Sequence, residues 1–128
     1  MAKKRILIID DEQDFLRLAA MHLKRTSNYE IRTESKTSRA VAVASEFNPD
    51  LILLDIIMPE MDGGEVANQI RSLSGLKDVR IVFLTALIRK EETPSREEYI
   101  DKQDFVTKLR YKEQLVDYIE GIFLRNKR

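Results

Sequence analysis

The chain of 128 residues contains no cysteine and only one histidine. Without cysteine it can form neither a disulfide bond nor a thiolate metal site, and it is compatible with a reducing compartment. It also has no excess of charge of either sign, because its 22 basic side chains balance its 22 acidic ones. No overall electrostatic field therefore directs the protein to nucleic acid or to a membrane surface.

Long apolar stretches are missing as well. The basic residues 3–5 precede only four apolar residues, 6–9, and acidic residues follow them. That run is too short for the apolar region of a signal peptide or for a membrane span. No glycine-rich loop follows it, which argues against nucleotide binding. We expect a cytoplasmic protein with no membrane attachment and no direct binding to nucleic acid.

Three unbroken apolar runs are typical of strands buried on both faces of a parallel sheet: residues 6–9, 51–54 and 81–84. Weaker strand patterns cover residues 29–33 and 104–106. The spacing of these five segments is that of successive βα units. It predicts a single α/β domain over residues 1–128, with a five-stranded doubly wound parallel sheet and about five helices.

Helical spacing of apolar residues separates the predicted strands. The four predicted buried faces comprise Phe15, Leu18, Ala19, His22 and Leu23, then Ala40, Val43, Ala44 and Phe47, then Val66, Ala67, Ile70 and Leu73, and finally Leu115, Ile119, Ile122 and Phe123. The polar segment 89–98 weakens the fourth helix and is predicted to be a loop followed by a short helix. His22 is expected to be a half-buried packing residue.

Polar side chains follow the predicted strands where these end. Asp10 and Asp11 follow the first strand, Asp55 the third, Thr85 the fourth and Lys108 the fifth. Because parallel strands end at one edge of a sheet, where open α/β sheets bind ligands, we expect these residues to converge.

Three neighbouring carboxylates repel one another by roughly 3 kcal/mol per pair, so that either one stays protonated or a hard cation binds. Oxygen ligands without histidine or cysteine favour Mg²⁺. A metal beside a carboxylate, a hydroxyl and a lysine suits phosphoryl transfer with the carboxylate as nucleophile. Taken alone, the two consecutive aspartates are more simply explained as caps of the first helix.

As a set, these residues resemble the receiver domain of two-component response regulators, over essentially the whole chain. The motifs that carry the resemblance are Ile8-Ile9-Asp10-Asp11-Glu12, Leu54-Asp55-Ile56-Ile57-Met58-Pro59, Met61-Asp62-Gly63-Gly64, Leu84-Thr85-Ala86 and Lys108. The resemblance implies a flavodoxin-like fold and a signalling switch rather than an enzyme. A sensor histidine kinase or a phosphotransfer protein would donate a phosphoryl group to Asp55, and the modified state would control a downstream protein.

The resemblance also implies the metal ligands. Asp11 would bind Mg²⁺ directly and Asp10 largely through water, while Asp55 and the backbone carbonyl of Ile57 would complete the protein ligands. Pro59 would help to shape the loop that leads into the third helix.

The resemblance implies a catalytic role for Lys108 and Thr85 and a switching role for Thr85 and Phe105. Lys108 would pair with the phosphoryl oxygens, and Thr85 would donate a hydrogen bond to them. Phe105 lies where the family has its switching aromatic residue, and it would turn inward when Thr85 moves.

Ile57 and Leu87 are apolar at positions that resemble those that tune the lifetime of the phosphoryl group, which predicts slow self-dephosphorylation. A lifetime of seconds in Mg²⁺ would contradict this expectation.

Two features depart from the family pattern. Leu109 stands where many members have a proline after the lysine, and residues 100–103 stand where a Gly-Ala pair is frequent. Together with segment 89–98, they alter the face that commonly carries dimer or partner contacts. The sequence therefore specifies neither the kinase, the downstream target, the pathway nor the oligomeric state.

The leading hypothesis is a stand-alone phosphoacceptor switch without an output domain. A receiver excised from a longer regulator is a variant of this hypothesis. The main alternative is a receiver-like interaction module that acts without phosphorylation, although such a module would typically lack one of the acids. A Mg²⁺-dependent phosphohydrolase is disfavoured because no substrate-binding insertion is visible.

Overall fold

The computed structural model describes residues 3–26, 28–55, 63–85, 104–107, 119–121 and 123, with the backbone alone for Thr85 and residues 104–107. The elements in chain order are β1 (Lys4–Ile9), α1 (Gln13–Lys24), β2 (Tyr29–Glu34), α2 (Thr37–Phe47), β3 (Leu51–Asp55), α3 (Gly63–Arg71), β4 (Arg80–Thr85) and β5 (Asp104–Thr107). Residues 119–121 and 123 are also helical. This alternation confirms the predicted parallel α/β architecture.

All strands belong to one parallel sheet in the order β2-β1-β3-β4-β5. The chain passes from β1 outward to β2, returns across β1 to β3, and continues in the opposite direction to β4 and β5. The strand order thus reverses between β1 and β3. In sheets of this kind the reversal leaves a crevice at the carboxyl ends of the two strands, because the helices that follow them cover opposite faces.

The core consists of two layers, one on each face of the sheet, because successive side chains of a strand point to opposite faces. In β1, Ile6 and Ile8 pack in the layer that contains α1 and Ile119. Leu7 and Ile9 pack in the layer that contains α2 and α3. All four are fully buried, as is every apolar residue of β3, which explains why these strands lack polar alternation.

The start of β3 is fixed against β1 by a pair of hydrogen bonds. The Asp50 N–H donates to the Arg5 carbonyl at 2.8 Å, and the Arg5 N–H donates to the Asp50 carboxylate at 2.8 Å. Just before this point, α2 ends because Asn48 adopts the left-handed conformation, with φ of 53°. These contacts set the register that brings the far ends of β1 and β3 level.

The helix faces agree with the sequence in α2 and differ in α1. The predicted face of α2 is buried in full. In α1, Phe15, Ala19 and Leu23 are buried as predicted, but Leu16 is buried too. Leu18 is only partly buried, and His22 is half-buried as expected. The buried stripe of α1 is therefore rotated towards Leu16, because the helix packs over β2 as well as β1.

The predicted helix faces after β3 lie only partly within the described residues. Val66, Ala67 and Ile70 of α3 are buried as predicted. Ile119 is buried, and Phe123 packs against the α1 layer. The predictions for Leu115, Ile122, the fourth helix and segment 89–98 lie outside the described residues. Within the described ranges, no helix has the length and apolar character needed to cross a bilayer.

Candidate functional site

The register of the sheet brings two aspartates to the crevice between β1 and β3. Ile9 of β1 is the ladder partner of Leu54 in β3, and each is followed directly by an aspartate, Asp10 or Asp55. On the other side, Asp55 is the partner of Leu84 in β4. The three strand ends therefore lie at the same level of the sheet edge.

The carboxylates of Asp10, Asp11 and Asp55 form one cluster. Each offers an oxygen, and these three oxygens all lie within 4.8 Å of one another. Asp10 has 0% and Asp55 has 4% of its surface exposed, whereas Asp11 is exposed. The cluster thus has two acids in the crevice and one at its mouth. The three acids converge, as their positions after the first and third strands predicted.

Hydrogen bonds with Glu34 and Glu12 help to hold Asp10 in place. Its N–H donates to the Glu34 carbonyl at 3.1 Å, across the ladder to β2. Its Oδ1 accepts the Glu12 N–H at 2.8 Å. Glu12 itself is the N-cap of α1 and makes no side-chain capping bond. Neither aspartate therefore occupies the N-cap position itself, although Asp10 accepts an N–H at the start of α1. Capping alone does not explain why Asp11 and Asp55 lie beside Asp10.

The electrostatics of the cluster favour a hard cation. At 4.8 Å and an effective dielectric constant of about 20, each pair of charged carboxylates repels by roughly 3 kcal/mol. Burial adds to this, because a desolvated charge is costly unless an opposite charge or a metal compensates it. Carboxylate oxygens from three residues are the ligand type that Mg²⁺ prefers. The cluster fits such an ion.

The structure describes only some of the other predicted site residues. Thr85 is the last residue of β4, and its backbone pairs with Thr107 of β5. The Phe105 backbone pairs with Phe83 in β4. Lys108 follows β5 in the sequence, but it lies outside the described residues, as do Ile57, Pro59, Leu87 and Leu109.

Glu34 is a residue that the sequence did not single out. It ends β2 beside Ile9, its carbonyl binds Asp10, and its side chain is only 13% exposed. A charged residue at the end of an edge strand usually faces solvent. The sequence position of Glu34 therefore gives no indication that its side chain is buried or that its carbonyl binds Asp10. The arginine five residues later, Arg39, is its ion-pair partner at 3.5 Å.

The family model of the response regulator receiver domain matches residues 6–120. The chain belongs to this family. The sequence-based resemblance is therefore confirmed, and the chain carries a receiver domain of the two-component type. Family membership agrees with the flavodoxin-like parallel fold and with a signalling domain rather than an enzyme family.

Curated relatives share this domain over part of their length. The receiver domain is 45% identical over 82 residues to the transcriptional regulatory protein ResD of Bacillus subtilis, covering 64% of this chain and 32% of ResD. It is 44% identical over 88 residues to the transcriptional regulatory protein SrrA of Staphylococcus aureus, covering 69% of this chain and 34% of SrrA. The matched part is thus about a third of these relatives.

Solved structures show the same fold. The N-terminal domain of a response regulator receiver protein from Methanoculleus marisnigri is 28% identical, with a TM-score of 0.70, and the match covers 94% of this chain and 97% of that one. The chemotaxis protein CheY4 of Vibrio cholerae is 24% identical with a TM-score of 0.77, covering 94% and 98%. At 24% identity, the similarity to CheY4 supports the fold alone.

Proposed function

We propose that this receiver domain accepts a phosphoryl group on Asp55 from the phosphohistidine of a sensor histidine kinase or phosphotransfer protein. The observation that carries the proposal is the cluster of Asp10, Asp11 and Asp55, whose carboxylate oxygens lie within 4.8 Å of one another. Asp55 is the member that ends the central strand β3, at the crevice where such sheets bind their ligands.

The reaction is a transfer between two nucleophiles. A carboxylate oxygen of Asp55 attacks phosphorus and forms the new P–O bond of an aspartyl phosphate. The P–N bond of the donor breaks, and its electron pair returns to the imidazole nitrogen. Asp55 must therefore react as the charged carboxylate. Its neighbours Asp10 and Asp11 raise the negative potential around it, which makes a compensating cation necessary.

Asp10, Asp11 and Asp55, together with the carbonyl of Ile57, would hold Mg²⁺. The ion would supply positive charge that neutralises the phosphoryl oxygens during transfer. The bond from the Glu12 N–H to Asp10 at 2.8 Å supports this role, because a carboxylate that is already oriented loses less freedom when it binds a metal. Lys108 would add a second positive charge to the same oxygens.

The added phosphoryl group would act as a switch because it brings roughly −1.5 to −2 charges to the site. Thr85 stands one residue beyond Leu84, the ladder partner of Asp55, and we propose that its hydroxyl turns towards the new oxygens. Phe105 would follow into the space that is vacated. Two states that differ by only a few kcal/mol suffice for such a response, which would control a downstream protein.

The experiment that tests this function uses phosphoramidate, a small donor with a P–N bond, in the presence of Mg²⁺. Intact mass is measured for the wild type, Asp55→Asn and Asp14→Asn, the last being a control at an exposed carboxylate of α1. We expect one phosphoryl group on the wild type and on Asp14→Asn, none on Asp55→Asn, and none on any protein in EDTA. Equal modification of Asp55→Asn would overturn the proposal. Mg²⁺ binding without modification would favour the phosphorylation-independent module.

A further inference from the structure

Glu34 lies at the same edge of the sheet as the acid cluster, yet it does not belong to the cluster. It is the last residue of β2 and the ladder partner of Ile9, so it stands beside the point where Asp10 leaves β1. Its side chain is 13% exposed. An acidic side chain that is this well covered needs partners, because its charge is partly removed from water.

The partners of the Glu34 carboxylate are both at the start of α2. Oε2 accepts the Lys36 N–H at 2.9 Å, and Oε1 pairs with Arg39 Nε at 3.5 Å. Lys36 is the N-cap of α2 and makes no side-chain capping bond. The first N–H groups of a helix have no partner within the helix. Glu34 thus supplies an acceptor and a negative charge where α2 begins, both of which stabilise that end.

The main chain of the same residue reaches the acid cluster. The Glu34 carbonyl accepts the Asp10 N–H at 3.1 Å, and the Asp10 carboxylate in turn accepts the Glu12 N–H at 2.8 Å. A continuous series of contacts therefore leads from Arg39 in α2, through both the side chain and the backbone of Glu34, to the carboxylate of Asp10.

We propose that Glu34 is a positioning residue that raises the Mg²⁺ affinity of the acid cluster by fixing the backbone of Asp10. The proposal rests on the proposed function, because it concerns the same metal ligands. Because the Lys36 N–H holds the Glu34 side chain at 2.9 Å, the Glu34 carbonyl keeps its position relative to the Asp10 N–H. The ion pair with Arg39 adds little to this, because Arg39 is 61% exposed. A ligand that is ordered before the ion arrives loses less conformational entropy on binding.

A second ion pair between β2 and α2 provides a matched control. Arg32 and Glu46 pair at 3.0 Å, but Arg32 is the ladder partner of Leu7, two residues further from the edge than Ile9. Breaking this pair removes a contact between the same two elements without touching the backbone bond to Asp10. A purely structural role for Glu34 predicts similar behaviour for both pairs.

The test compares Glu34→Met, Glu34→Gln and Glu46→Gln with the wild type. Methionine and glutamine are neutral and similar in size, but only glutamine can accept the Lys36 N–H. Mg²⁺ affinity is measured by calorimetry, and the rate of phosphoryl acceptance from phosphoramidate is measured against Mg²⁺ concentration. This separates the half-saturating concentration from the rate at saturation.

For Glu34→Met we expect the half-saturating Mg²⁺ concentration to rise by about tenfold, at the lower end of the effect of outer partners on metal affinity. The saturated rate should be unchanged, and Glu34→Gln and Glu46→Gln should behave as the wild type. An unchanged half-saturating concentration in Glu34→Met overturns the proposal. Equal weakening in Glu34→Met and Glu34→Gln overturns it as well, because charge would then be responsible. If the wild type accepts no phosphoryl group, the proposed function fails first.

Discussion

Ile9 and Leu54 are partners in the parallel ladder between β1 and β3, and each is followed directly by an aspartate. This single pairing brings Asp10 and Asp55 together at the point where the strand order reverses. A slip of one residue would move one of them out of the crevice and would also turn the apolar side chains of the strand to the wrong layer. The packing of side chains into the two layers and the geometry of the site therefore depend on the same register.

Removing the exposed member of the cluster should stabilise the metal-free protein. In EDTA, Asp11→Asn should raise the free energy of unfolding by about 1 kcal/mol, which is less than the full Coulomb term because solvent screens this side chain. In millimolar Mg²⁺ the wild type should gain stability and the variant should gain little, since binding to the folded state adds RT ln(1 + [L]/Kd). Thermal midpoints in EDTA and Mg²⁺ measure both effects.

The control for this comparison is Asp14→Asn, because Asp14 is an exposed acid close by in sequence. Its response to Mg²⁺ should equal that of the wild type. An Asp11→Asn protein that is stabilised by Mg²⁺ as strongly as the wild type would show that Asp11 is not a ligand.

Arg5 should matter for stability and not for phosphorylation. It donates to the Phe47 carbonyl at 2.8 Å, pairs with Glu30 at 3.5 Å and lies 5.6 Å from the centre of the Phe47 ring. Arg5→Ala should lower the free energy of unfolding by about 1–2 kcal/mol in urea titrations. Arg5→Lys should lower the free energy of unfolding by less than Arg5→Ala, because the ammonium group keeps the charge but not the planar donor geometry of the guanidinium group.

Arg5 lies five residues before Asp10, about 16 Å away along an extended strand. Phosphoryl acceptance by Arg5→Ala at saturating Mg²⁺ should therefore match that of the wild type. A large loss of phosphoryl acceptance in a folded Arg5→Ala protein would mean that the start of β1 is coupled to the site at its carboxyl end.

Tyr29 should make the protein sensitive to alkaline pH. Burial raises the pKa of its hydroxyl, and the negative charge of Glu120 raises it further. Above the ordinary tyrosine pKa of about 10, the unfolded chain releases this proton more readily than the folded one. Stability is therefore fully present below that pH and falls as the pH rises towards the folded-state pKa.

Tyr29→Phe removes this titration and keeps the ring, whose centroid lies 5.7 Å from that of Phe123. Urea unfolding at about pH 8 and about pH 10.5 should show a smaller loss of stability for the variant than for the wild type. Glu120→Gln should fall between them. Equal losses for all three proteins would assign the alkaline sensitivity to other groups.

Thr85 should couple phosphorylation to the conformational response. Thr85→Ala should still accept a phosphoryl group at Asp55, because the nucleophile and the proposed metal ligands remain. It should lose the change in the loop after β4, since alanine cannot donate a hydrogen bond to the phosphoryl oxygens. Thr85→Ser keeps the hydroxyl and should respond as the wild type. The measurement is the change in backbone NMR shifts on phosphorylation. A change in Thr85→Ala equal to that in the wild type would contradict the proposed role of Thr85.

The sequence predicts the inner strands well because burial on both faces leaves unbroken apolar runs. The outermost strand β2 is harder to identify, since its apolar residues Tyr29 and Ile31 alternate with charged ones and Thr33 interrupts the pattern. The rotation of the α1 stripe towards Leu16 was not predicted, because it depends on how the helix packs over β2, a tertiary effect that helical spacing alone does not contain.

The site could be predicted as far as topology determines it. Parallel strands end at one edge, so the convergence of Asp10, Asp11 and Asp55 followed from their places after the first and third strands. The bond from the Glu12 N–H to Asp10 and the role of Glu34 could not be predicted, because both depend on the register between β1 and β2. The expected roles of Ile57 and Lys108 stay predictions.

The central claim is that Asp55 becomes an aspartyl phosphate. The most direct test is to treat the protein with phosphoramidate and Mg²⁺, reduce it with borohydride, which converts an aspartyl phosphate to homoserine, and locate that residue by peptide mass spectrometry. We predict homoserine at position 55 alone, and none when Mg²⁺ is omitted. Homoserine at position 10 or 11, or a phosphoryl group that resists reduction, would contradict the assignment of the acceptor.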